Sequence, residues 1–147
     1  MIAVGGENLI DLVSGKQTDN EQPHYLAMPG GGPFNVAMAV GRQGCEVTYV
    51  TPISTDAFGD LLAARLIESN VAIAAPRVQQ PTSLAVVSLT ADGVASYSFH
   101  RNGTAERQVT RETLASHVPP ETNIFHVGGL ALIEGDDAEA WKAQFQR

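Results

Sequence analysis

Asp11, Asn35 and Arg101 are polar side chains whose surroundings make them candidates for chemistry. Asp11 stands between Leu9-Ile10 and Leu12-Val13. A carboxylate in such an apolar run either faces water at a turn or edge, or is held at a strand end to accept hydrogen bonds from ligand hydroxyls. Asn35 follows Pro29-Gly30-Gly31-Gly32-Pro33-Phe34. Glycines let backbone N–H groups approach a ligand with no Cβ in the way. A helix start adds unpaired donors and partial positive charge. An amide side chain both donates and accepts, whereas an ionised carboxylate only accepts. Hydroxyl-rich ligands need both kinds of partner, so the glycine loop with Asp11 reads as a site for a polar, oxygen-rich ligand.

Two phosphate-binding readings of the loop fail on spacing. The dinucleotide fingerprint needs Gly-x-Gly-x-x-Gly, and counting from Gly30 the last position holds Asn35. The P-loop needs Gly-Lys followed by Ser or Thr, but Gly15-Lys16 is followed by Gln17 and residue 10 is Ile. The loop therefore suits hydroxyls at least as well as phosphates.

The elements that must position these residues follow from periodicity. Ile2 to Val4 and Leu9 to Val13 read as strands, and His24 to Met28 as a short strand leading into the loop. Pro33 to Gln43 reads as a helix burying Phe34, Ala37, Met38 and Gly41, with Gly44 as its stop. Val47 to Val50 is β-rich. Asp56 caps a helix over Ala57 to Ser69 with Phe58, Leu61, Leu62 and Leu66 on one face. Strand–helix–strand–helix order implies parallel strands in an α/β layer.

Further on, Thr82 to Thr90 and Val94 to Arg101 are extended runs around Asp92-Gly93, a strong hairpin signal. A two-residue Asp92-Gly93 turn sets Leu84, Val86 and Ser88 opposite Arg101, Phe99 and Tyr97 on one sticky, cationic face. That face either packs on the body, closes over a ligand or meets a second subunit. Thr110 caps a short helix, Arg111 to His117. Asn123 to Val127 is another strand, in which His126 reads as a structural rather than a catalytic histidine. Asp136 or Asp137 opens a last helix containing Trp141 and Phe145.

Composition bounds the classes. A chain of 147 residues with 44% hydrophobic residues fits one domain with a sizeable core. A formal net charge of -7 argues against a nucleic-acid partner. The single cysteine, Cys45, permits no disulfide within the chain and no zinc pattern. No run is apolar and long enough to span a membrane, and the N-terminus does not read as a signal peptide, so a cytoplasmic setting is expected.

Several ordered motifs together carry a resemblance. Gly6-Glu7-x-Leu9-Ile10-Asp11, then Pro29-Gly30-Gly31-x-Pro33-Phe34-Asn35-Val36-Ala37, Asp56-x-Phe58-Gly59, Pro81-Thr82-Ser83-Leu84-Ala85 and Phe99-x-Arg101-x-x-x-Ala105 resemble the N-terminal part of the ribokinase-like (PfkB) carbohydrate kinases, fructokinases most of all. Departures are Ser54, where many members have Gly, and Gly32, where fructokinases often have Ala; neither changes a ligand-binding side chain. The resemblance implies an α/β fold: the N-terminal part of a three-layer α/β/α sheet with a small β lid, its strands at about 9–28 and 82–101. It implies transfer of the ATP γ-phosphoryl group, with Mg2+, to a sugar hydroxyl. Fructose is the first expectation, with 2-keto-3-deoxygluconate or another furanose open. Asp11, Gly30, Gly31, Asn35, Phe99 and Arg101 are the substrate-binding positions it implies. A lid hairpin that also forms a homodimer is a further implication. The family's Gly-Ala-Gly-Asp stretch, whose Asp serves as base, does not occur in this sequence. Residues 1–147 are therefore expected to be the sugar-binding portion, to lack the ATP-binding part, to bind neither ATP nor Mg2+, and to be inactive alone. The alternative is a non-catalytic sugar-binding or dimerisation module.

Overall fold

In the computed structural model, which describes residues 1–15, 22, 24–89, 94–133 and 135–146, the N-terminal apolar run becomes the middle of a parallel sheet. Strand β1 (Ile2–Gly5) pairs in parallel with β4 (Val47–Tyr49) on one side and β10 (Ile124–Val127) on the other. A two-residue strand, β6 (Ala72–Ile73), extends it beyond β4. The order is β10-β1-β4-β6. Successive side chains of β1 point to opposite faces. Val4 joins one apolar cluster with Ile10, Phe34, Tyr49, Leu62 and Leu66, whereas Ala3 joins another with Val50, Leu114, Ala140 and Trp141. Helices α1 (Gly32–Arg42) and α2 (Ala57–Glu68) cover the first face, and α3 (Arg111–His117) and α4 (Ala138–Phe145) the second. The sheet thus lies between two helical layers, which is why its strands read as continuous apolar runs. No helix among the described residues is long and apolar enough to cross a membrane.

A second sheet has the order β3-β2-β8-β9. It comprises β2 (Leu9–Ser14), β3 (Tyr25–Gly30), β8 (Ser83–Leu89) and β9 (Ala95–His100). β2 and β8 are parallel; the outer pairs are antiparallel. One face sets Ile10, Leu12 and Leu84 on the core. Strand β3 runs further than the sequence suggests, taking Pro29 and Gly30 into the ladder opposite Ile10 and Leu9. Short strands β5 (Ile53–Ser54) and β7 (Arg77–Val78), which carry no clear sequence signal, form a separate parallel pair.

The hairpin register differs from the expectation by one residue. Leu84 pairs with His100, Ala85 with Phe99 and Val87 with Tyr97. Such a slip moves every side chain of one strand to the other face relative to its partner. Tyr97 and Phe99 therefore share a face with Ala85 and Val87 instead of with Leu84 and Val86. The Asp92-Gly93 turn lies outside the described residues, as does most of the stretch between Gly15 and His24.

Asp56 does more than cap α2. Its Oδ1 accepts from the Gly59 N–H at 2.7 Å and from the Thr82 hydroxyl at 2.7 Å, and its Oδ2 accepts from the Thr82 N–H at 2.8 Å. Burial opposes its ionisation, yet the bonds from Thr82, Gly59 and Ser54 outweigh it and hold the carboxyl below its ordinary range. Two separate sequence motifs are thereby tied at the start of β8. Asp137 is the N-cap residue of α4 but makes no side-chain capping bond; its Oδ1 pairs instead with Arg107 at 2.8 Å.

Candidate functional site

The candidate site lies where the carboxyl ends of β1 and β10 meet the start of α1, a usual ligand position beside parallel strands. Phe34 anchors that start, fully buried and edge-on to Tyr49 with ring centroids 6.1 Å apart. Tyr49 donates its hydroxyl hydrogen toward the carbonyls of Gly6 and Glu7, at 3.1 and 3.3 Å. Asn8 Nδ2 bonds the Tyr49 hydroxyl and the Pro52 carbonyl, and the Gly6 N–H bonds Thr51 Oγ1. This buried polar network fixes the crossing from β1 to β2. Burial raises the Tyr49 hydroxyl pKa above its ordinary value, so Tyr49 remains a donor.

Glu7 holds the glycine loop from two sides. A Cβ on Gly31 would come within 2.4 Å of the Glu7 carbonyl oxygen, and Gly31 has φ of +113°. The Glu7 side chain accepts from the Gly32 N–H at 3.3 Å, while its second oxygen is buried against Gly128 with no hydrogen-bond partner among the described residues. Burial raises the Glu7 pKa and nearby Glu106 adds to this, opposed by its own backbone N–H, the Gly32 N–H and Arg101. A buried acid with a raised pKa favours the fold when protonated, and that contribution is lost as pH rises through the raised value. Glu7→Gln keeps an acceptor for Gly32 and removes the charge. Its melting temperature relative to wild type is therefore expected to rise between about pH 5 and about pH 8. Thermal melts of both proteins at the two pH values check this.

Asp11 sits in the middle of β2, not at a strand end. Its carboxylate lies over Gly30: a Cβ there would come within 2.4 Å of Oδ2. Asp11 is half-buried, and burial raises its pKa. It shares its sheet face with Met28, Ala85 and, one strand further, Phe99. The one-residue slip is what brings Phe99 to this face. Asn35 occupies the first turn of α1, exposed, with its backbone N–H bonded to the Gly31 carbonyl at 3.0 Å. The structure thus gathers Asp11, Gly30 and Gly31, with Asn35 four residues along and Phe99 on the same face.

Arg101, which the sequence places on a cationic hairpin face, has its charge paired within the protein. It is buried and forms a two-pronged ion pair with Glu106, Nε to Oε1 at 2.6 Å and Nη2 to Oε2 at 3.3 Å. Ser83 Oγ donates to the same Glu106 Oε1 at 2.7 Å. Sequence reasoning missed both Glu7 and Glu106. Glu7 had a signal, an acid wedged between Gly6 and an apolar strand; Glu106 had none locally, because a single 3-10 turn, Ala105–Arg107, folds it back. His126 is half-buried in β10, in register with Val4.

Residues 1–147 match the family model described as pfkB family carbohydrate kinase. Fructokinase-1 of Zea mays is 36% identical over 132 residues, covering 87% of this chain and 41% of that protein. A fructokinase of Solanum tuberosum is 36% identical over 138 residues, covering 90% and 43%. A crystal structure of fructokinase from Xylella fastidiosa superposes with a TM-score of 0.86 at 30% identity, covering 99% of this chain and 46% of that one; a second structure of it has bound ATP. The chain spans less than half the length of each of these relatives.

Proposed function

The chain belongs to the pfkB family of carbohydrate kinases, and from that premise we propose that it is the sugar-binding portion of an ATP-dependent kinase whose acceptor is a hydroxyl of a small sugar, fructose first. The observation that carries the reading is the Asp11 carboxylate over Gly30, beside a loop that opens α1. Asp11 accepts hydrogen bonds from two sugar hydroxyls. The loop at Gly30 and Gly31 allows close backbone approach, and Asn35 supplies a donor and an acceptor. Phe99 offers an apolar surface to the C–H side of the sugar ring. ATP supplies the phosphoryl group, as its presence on the Xylella fastidiosa relative supports. The chain lacks the Gly-Ala-Gly-Asp stretch in which the family's base resides, and no trio of acidic, His or Cys side chains gathers to hold a metal among the described residues. The role we assign to these residues is to bind and orient the sugar.

A dimer through the same sheet is favoured by one further observation. Tyr97 and Phe99 stack at 5.9 Å, and with Leu26 and Met28 each is about half exposed or more. An apolar strip of this kind on a mixed sheet suits a second copy. Calorimetric titration of the 147-residue protein with fructose is the direct test: saturable heat is expected, with no ADP release when ATP and Mg2+ are added. No binding of fructose or any related ketose overturns the proposal. Light scattering on the same sample reads the dimer.

A further inference from the structure

We propose that Glu106 sets the substrate class of this site: by neutralising Arg101, it makes the pocket accept an uncharged sugar and reject a sugar carrying a carboxylate. This rests on the sugar-binding reading above and deepens it. Arg101 and Glu106 have side chains only 7% and 2% exposed, and they meet through two parallel N–H···O contacts. A paired guanidinium of this geometry has little net charge left for a ligand. Glu106 is itself held from other directions. Ser83 Oγ donates to its Oε1, and Ser83 and Thr104 hydroxyls lie 2.7 Å apart. Thr104 in turn donates to the Arg101 carbonyl at 2.7 Å. The pair is therefore built in, not a surface encounter. Glu7 is near enough to feel both Arg101 and Glu106 electrostatically. Ser83 pairs with Leu9, which on its other side pairs with Gly30, so the Glu106 that Ser83 holds lies on the sheet face that carries Asp11. A ligand carboxylate entering here meets the Glu106 carboxylate and an Arg101 whose charge is already paired. A neutral ketose has no charge to be repelled.

The test compares fructose with 2-keto-3-deoxygluconate by calorimetric titration. Wild type is expected to favour fructose. Glu106→Gln keeps an acceptor for Ser83 but uncovers the Arg101 charge. Its affinity for the sugar acid relative to fructose is expected to rise about tenfold or more. That gain should shrink as ionic strength is raised. Removing both charges, as Arg101→Gln with Glu106→Gln, is expected to return the ratio toward wild type. A uniform loss for both ligands in Glu106→Gln, or an equal gain in the double variant, overturns the assignment. Should Glu106→Gln not fold, Glu106→Asp retains the charge and must still exclude the sugar acid; a wild-type or Glu106→Asp protein that takes it as tightly as fructose also overturns the assignment. A wild type that binds neither ligand instead removes the sugar-binding reading itself.

Discussion

Asp11→Asn is expected to weaken fructose binding about a hundredfold while leaving the melting temperature at neutral pH unchanged or higher. The two effects separate for a physical reason. Asp11 lies on the open face of the second sheet, half-buried, with its carboxylate over Gly30. Among the described residues no hydrogen bond offsets the desolvation that raises its pKa. Its charge is thus a cost to the fold that only a ligand repays. Asparagine keeps one acceptor oxygen but loses the charge and the second acceptor, about 3 kcal/mol of hydrogen bonding to two sugar hydroxyls. The raised pKa also fixes the sign of the pH effect. Wild-type affinity should begin to fall at a higher pH on acidification than an ordinary aspartate would allow, and Asp11→Asn should show a flat profile. Titration of both proteins from about pH 8 to about pH 5 reads this directly. A variant that binds fructose like wild type would remove Asp11 from the site.

The sequence makes the elements legible where local and tertiary preferences agree. Asp56 is a cap by type and position, and it caps. The apolar runs at Ile2 and Val47 have helices on both sides, so their lack of alternation is itself the signal of a buried parallel strand. The hairpin is legible as a hairpin, but its register is not. A two-residue turn would set the pairing one residue away from that found. Turn length fixes the face on which Phe99 lands, and an Asp-Gly pair does not fix turn length. The register found keeps Arg101, Phe99 and Tyr97 off the core face that carries Leu84 and sets His100 opposite it instead. Arg101 shows the complementary limit. Its type and neighbourhood point to an available cation, yet its partner comes from a later turn, and the ion pair changes what the residue can recognise. Asp11 and the glycine loop are legible because their chemistry is unusual for their local setting. Glu7 is equally unusual, but its target, the Gly32 N–H, is 25 residues away in sequence.

Gly30 and Gly31 should separate binding from folding. Gly31→Ala is expected to destabilise the protein by about 3 kcal/mol or more. Its φ of +113° is open to glycine and strained for alanine, and the new Cβ would lie 2.4 Å from the Glu7 carbonyl oxygen. That carbonyl cannot retreat cheaply, because it accepts a hydrogen bond from the buried Tyr49 hydroxyl. Gly30→Ala meets a different obstacle. Its Cβ would lie 2.4 Å from Asp11 Oδ2 and 3.4 Å from Leu9 Cδ1, both side-chain atoms, and its backbone is that of an ordinary strand residue. The Asp11 carboxylate can rotate aside at a cost of about 1 kcal/mol. It then no longer occupies the position proposed for the sugar. Gly30→Ala is therefore expected to melt within a few degrees of wild type and to lose most of its fructose affinity, whereas Gly31→Ala loses both together. Thermal melts and calorimetric titration of the two variants give the comparison. Wild-type affinity in a folded Gly30→Ala protein would mean that the sugar does not lie between Asp11 and the loop.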